Sequence, residues 1–102
     1  MSEKIAIVAT LRAVEGKGEA VVEAFRAAVP DVEAEAGTEL YITHRSPDDP
    51  DVVTIYELYT DQAAREAHSS GEPIRKIGRA LKGLLVAPPE LKVMPAVTGK
   101  GL

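Results

Sequence analysis

The order of apolar periodicities predicts an α+β chain of the ferredoxin-like type: a split β-α-β arrangement with an antiparallel sheet and helices on one face. Three observations carry this reading. An apolar β-branched run opens the chain, a helical stripe follows it, and two further β-branched runs are separated by the turn-forming Ser46-Pro47-Asp48-Asp49-Pro50.

From Lys4 to Arg12, Ile5, Ile7, Ala9 and Leu11 occupy one side and Ala6, Val8 and Thr10 the other, so both faces of this strand are expected to be covered. After the turn Val14-Glu15-Gly16-Lys17-Gly18, residues Val21, Val22, Phe25, Val29 and Val32 recur at the three- and four-residue spacing of a helix. Pro30 lies inside that stripe and predicts a bend or restart, and Gly37 is read as the helix end. The runs 39–45 and 52–59 read as a long hairpin. Asp61 is placed to cap a short helix carrying Ala63, Ala64, Ala67 and His68, and Ser69-Ser70-Gly71 ends it. Pro73 suits the first position of a second helix, whose apolar face holds Ile74, Ile77, Leu81 and Leu84. Alternation from Glu90 to Met94 predicts a last strand.

The resulting order, β-α-β-β-α-(α)-β, leaves one sheet face without helices. Covering it with a second copy of the same sheet would give a dimeric α/β barrel, so a homodimer is expected. With 102 residues the chain is the size of one domain, read as residues 1–94, and residues 95–102 form a flexible or partner-contacting tail.

Composition narrows the function. Sixteen acids against twelve bases give a net charge of −4, which offers no general attraction for a phosphate backbone, so nucleic acid is not an expected partner. The chain has no cysteine, which removes disulfides, thiolate metal sites and thiol nucleophiles. No stretch has the roughly 20 apolar residues that span a bilayer, and no secretory leader is recognised, so no membrane contact and a cytoplasmic location are expected. Gly16-Lys17-Gly18 lacks the longer pattern of a phosphate-cradling loop. His44 and His68 are too far apart in sequence to have local metal-ligand spacing; neither a metal nor a cofactor is expected.

The run Glu35-Ala36-Gly37-Thr38-Glu39-Leu40-Tyr41, followed by Tyr56-Glu57-Leu58-Tyr59, Asp61, Ala64 and His68, resembles the characteristic track of the antibiotic biosynthesis monooxygenase family. The resemblance implies a ferredoxin-like homodimer and, in some members, oxygenation of phenolic or quinol substrates without metal or flavin. Polyketide-oxidising and haem-degrading relatives use an asparagine and a tryptophan in the pocket; this chain contains neither.

Such chemistry needs a base that ionises an electron-rich phenol or enol. His68, at the family's helix-histidine position, is the expected base. Glu57 and Tyr59 are two apart on a strand and share a face, so Tyr59 is expected to orient the substrate and Glu57 to tune one of its neighbours. A structural alternative has Tyr59 in the dimer seam and Glu57 paired with an arginine such as Arg45. Tyr41, His44 and Tyr56 are candidate substrate-binding residues. The cations Arg75, Lys76, Arg79 and Lys82 lie mostly off the apolar face of their helix and read either as a solvated surface or as a hold for an anionic group.

The leading expectation is a cofactor-independent monooxygenase acting with O2 on a small aromatic or quinol-like molecule. The alternatives are an isomerase of a small phosphorylated ketone, in which Arg75 or Arg79 holds the phosphate, and a non-catalytic ligand-binding or dimerisation module. Within the run from Glu35 to His68, the first half reads as a helix-to-strand turn and the second half holds the residues expected to do chemistry.

Overall fold

The computed structural model describes residues 3–102. Strand β1 spans Ile5–Arg12, helix α1 Gly18–Glu33, β2 Thr38–Arg45, β3 Val52–Tyr59, α2 Gln62–Ser69, α3 Glu72–Ala80 and β4 Glu90–Pro95. The four strands form one sheet in the order β2-β3-β1-β4, every neighbouring pair antiparallel. This is the ferredoxin-like α+β arrangement predicted from the periodicities.

The register assigns each side chain to a face. Toward the helices point Ile5, Ile7, Ala9 and Leu11 of β1 and Val53, Ile55, Glu57 and Tyr59 of β3, which pair across the two strands. Val21, Phe25 and Ala28 of α1 and Ile77 of α3 close over this surface, together with Leu81 just beyond α3, to make the main apolar core. A smaller cluster joins Ile5, Ile7 and Tyr59 with Ala64 of α2.

Of the bend or restart expected at Pro30 the restart does not occur, and the second of the two later helices is shorter than expected. α1 continues through Pro30 to Glu33 without a restart. Pro30 is exposed and within the last turn, where the carbonyl that it leaves without a helical partner can meet water. α3 ends at Ala80 and does not extend to Leu84. Gly83 takes φ +80°, a left-handed conformation that ends a helix cheaply only at glycine. The freed segment then turns back along β1, with the Val14 amide donating to the Leu84 carbonyl and the Val86 amide to the Arg12 carbonyl.

Gly37 lies between α1 and β2 and has a different role from ending the helix. A Cβ there would collide with the Ala64 Cβ, so only glycine lets α2 sit against this turn. The Thr60 amide donates to the Gly37 carbonyl at 2.9 Å, and the Asp61 carboxylate caps α2 by accepting from the Ala64 amide at 2.8 Å. The start of α2, and with it the position of His68, is thereby fixed to the start of β2.

The face turned away from the helices carries two apolar rows that the register aligns across the sheet. Leu40, Leu58, Ala6 and Met94 make one; Ile42, Tyr56 and Val8, ending at Lys92, make the next. Leu40, Ile42 and Met94 are 41%, 44% and 41% exposed in the single chain. Beyond Pro95 the Ala96 amide is tied to the Lys4 carbonyl, and Val97 is exposed.

Candidate active site

An apolar cavity of about 300 Å³ lies between the helix-facing side of the sheet and α3. Leu11, Phe25, Ile55, Ile77, Leu81 and Leu91 supply most of its wall, and its polar groups come from Tyr41 and Glu57. These two are register partners on β2 and β3, so the sheet itself sets them side by side. Larger hollows occur on the surface. The one between α1 and β2, about 520 Å³, shares Tyr41 with the cavity, and its charged lining residues include Glu19 and Arg45, which pair with each other.

Glu57 is 6% exposed. Its environment pushes its pKa upward, chiefly by desolvation, against the Tyr59 hydrogen bond and the charges of His68 and Arg65, which lower it. The Tyr59 hydroxyl donates to Glu57 Oε1 at 2.5 Å. That bond, after burial, is the second cause holding the Tyr59 phenol well above its usual range. Tyr41 is shifted the same way by burial first and then by the charges of Glu57 and Glu35.

One layer further toward α2, His68 is 5% exposed and its Nδ1 lies 2.7 Å from Glu35 Oε1. The same carboxylate oxygen accepts from the Thr38 hydroxyl at 3.0 Å. The imidazole packs on both tyrosines, with ring centroids 5.1 Å from Tyr41 and 5.4 Å from Tyr59. His68 Nε2 and Arg65 Nε are buried without a protein partner among the described residues.

Tyr41, Glu57, Tyr59 and His68 thus come together, with Tyr41 and Glu57 on the cavity wall and Tyr59 and His68 behind them. His44 and Tyr56 are placed elsewhere. Both point to the open sheet face, Tyr56 in the second apolar row and His44 with its Nδ1 3.2 Å from the Thr54 carbonyl. Arg45, weighed as a partner of Glu57, pairs instead with Glu19. Sequence reasoning assigned no chemistry to Glu35 or Arg65. Arg65 had a legible signal, since three residues before His68 it shares a face of α2. Glu35 had none beyond its place in the turn, because its contact with His68 spans the whole hairpin.

No group of three or more His, Asp or Glu side chains among the described residues is placed to hold a metal ion, and no described helix is long and apolar enough to cross a membrane.

The model of the antibiotic biosynthesis monooxygenase family matches residues 4–80, which takes in every element up to the end of α3. The chain belongs to the antibiotic biosynthesis monooxygenase family. Among solved structures, a Pseudomonas aeruginosa protein is 28% identical with a TM-score of 0.85, the match covering 96% of this chain and 98% of that one. A Shewanella oneidensis protein is also 28% identical, with a TM-score of 0.84 and coverage of 94% and 93%. A Caulobacter crescentus protein named provisionally as an antibiotic biosynthesis monooxygenase shares the fold at 24% identity, TM-score 0.87, with coverage of 95% and 92%. Among curated proteins nothing matches this chain.

Proposed function

We propose that this family member is a cofactor-independent monooxygenase that oxidises a small phenolic or quinol-like ring in the cavity under α3. The observation that carries the reading is Glu57, a carboxylate buried in an apolar cavity wall with a raised pKa and, among the described residues, no cation bonded to it. A carboxylate base is more effective where water is excluded and burial lifts its pKa above the usual carboxylate range.

Glu57 takes the phenolic proton. The resulting anion passes one electron to dioxygen, and the radical pair recombines at a ring carbon that bears hydrogen. Loss of water from the hydroperoxide leaves a carbonyl: one oxygen atom enters the product and the other leaves as water. Tyr59 holds the carboxylate in place through its 2.5 Å bond, and Tyr41 lines the wall beside the ring. His68, bonded to Glu35 and packed on both tyrosines, acts as a positioning residue.

The working form in this reading is a homodimer closed through the open sheet face, because two aligned apolar rows on a small domain favour burial against their own copy. Oxygen uptake with a panel of hydroquinones and naphthols, using metal-stripped protein, tests the activity. Stoichiometric uptake that disappears in Glu57→Gln supports it. Turnover of an enolisable ketone without oxygen uptake would replace it with the isomerase reading.

A further inference from the structure

The cavity shares part of its wall with a second hollow, and that shared wall has a definite chemistry. Gly78, Leu81 and Pro89 line both the apolar cavity and a neighbouring hollow of about 680 Å³, whose wall also carries Arg75, Arg79 and Lys82. Arg75 and Arg79, one helical turn apart, lie on one side of α3, and Lys82 joins them from the turn just beyond its end. No acidic side chain lines that hollow. Arg75 and Arg79 both bond Glu72, at 3.2 and 2.6 Å, so one carboxylate is divided between two guanidinium groups. Lys82 has no ion-pair partner among the described residues, and the group therefore has a surplus of positive charge.

Gly78 stands between the two compartments. A Cβ built there would meet no atom within 4 Å, so the missing side chain leaves open space and relieves no clash. Glycine also weakens a helix interior relative to alanine, which makes its presence costly to α3.

We propose that the substrate carries an anionic substituent on a short arm: the ring occupies the apolar cavity against Glu57, the arm passes Gly78, and a carboxylate meets Arg79 and Lys82 at the mouth. This rests on the reading of the cavity as the substrate site. A volume of about 300 Å³ is at the lower end of ligand pockets, which admits one ring and leaves the charged group outside. The arrangement also resolves an electrostatic conflict. An anionic group close to Glu57 would oppose its ionisation, whereas one held past Gly78 by cations would not.

The experiment compares 2,5-dihydroxyphenylacetate with its methyl ester, two molecules that share the ring and differ in charge, by calorimetric titration without oxygen so that no turnover occurs. The acid is expected to bind at least about fivefold more tightly than the ester at low ionic strength, with the difference shrinking in molar salt. The preference should vanish in the double variant Arg79→Gln, Lys82→Gln, and Gly78→Leu should weaken both ligands while far-UV circular dichroism shows the fold intact. Equal affinity for acid and ester, a preference that survives the double variant, or binding of neither would overturn the proposal. Tight, cation-dependent binding of the acid without oxygen uptake would sustain it while removing the oxygenase chemistry.

Discussion

The Tyr59 hydroxyl and the Glu57 carboxylate, two residues apart on β3, are bonded at 2.5 Å in the interior of the protein, and among the described residues no arginine or lysine is bonded to the pair. Alternation along the strand puts both on the helix-facing side, and burial then decides their chemistry. Burial raises the pKa of Glu57 above the ordinary 4.5, so the folded protein holds this proton more tightly than the unfolded chain does. The stability that this contributes is fully present below the unfolded value and is lost as pH rises through the folded one. Glu57→Gln removes that dependence. The variant should therefore gain thermal stability relative to the parent as pH rises from 4 toward 8, while its turnover falls by about 10²–10⁴-fold, the usual share of a general base. Melting curves across pH, set beside initial rates, check both; a variant that loses stability at pH 8 would contradict the account of Glu57.

Tyr59→Phe tests the same bond from the other side. The hydroxyl lowers the Glu57 pKa, so its removal should raise that pKa further and move the acid limb of the rate profile to higher pH. A merely structural tyrosine would reduce the rate equally at all pH values. The profile of kcat/KM distinguishes the two.

The second buried contact, His68 Nδ1 with Glu35 Oε1, links α2 to the turn before β2. Glu35→Ala leaves a buried ring nitrogen and the Thr38 hydroxyl without their acceptor, which should cost about 1–3 kcal/mol in denaturant unfolding. Glu35→Gln retains an acceptor and should recover most of the loss. If the alanine variant were as stable as the parent, His68 would not depend on Glu35 for its position.

The strands, the helices and the split β-α-β order were legible because burial repeats at periods of two and about 3.6, and local spacing suffices to read it. That Glu57 and Tyr59 share a face was legible for the same reason, whereas their bond to each other was not, since an arginine was an equally good partner for the carboxylate. The Glu35–His68 contact was not, since the two residues are 33 positions apart and meet only after the hairpin folds. The run from Glu35 to His68 reads in sequence as a structural half and a chemical half, and this contact joins them. His44 and Tyr56 could be assigned a strand from sequence, but which sheet face would be enclosed by helices depends on how all four strands assemble. Pro30 shows the converse: a strong local breaker does not restart the helix where the chain can present the affected carbonyl to solvent.

Gly37 offers a test of how tightly the site is built. Gly37→Ala would push its new Cβ into Ala64. The turn and the start of α2 cannot both keep their places, and overpacking of this sort costs about 1–3 kcal/mol. Because α2 carries His68, the rate should fall along with stability. Ala64→Gly in the same chain removes the opposing carbon and should restore part of both. A double variant no better than Gly37→Ala would mean that the glycine serves the backbone alone, and unfolding measured on the two single variants and the double variant decides it.

The open sheet face makes the last prediction. Ile42 is 44% exposed in the single chain and stands beside Tyr56 in the second apolar row, on the side of the sheet opposite the cavity. In a symmetric dimer each substitution enters the interface twice, and a charge removed from water without a partner costs several kcal/mol. Ile42→Glu should therefore shift the protein from dimer to monomer at micromolar concentration, as read by light scattering. In the free chain the same glutamate faces water, so the isolated fold should suffer little. Two other outcomes are informative. A parent that is monomeric at all concentrations would remove the homodimer. A variant that remains dimeric would place the contact on another face and leave the two apolar rows without the role proposed for them.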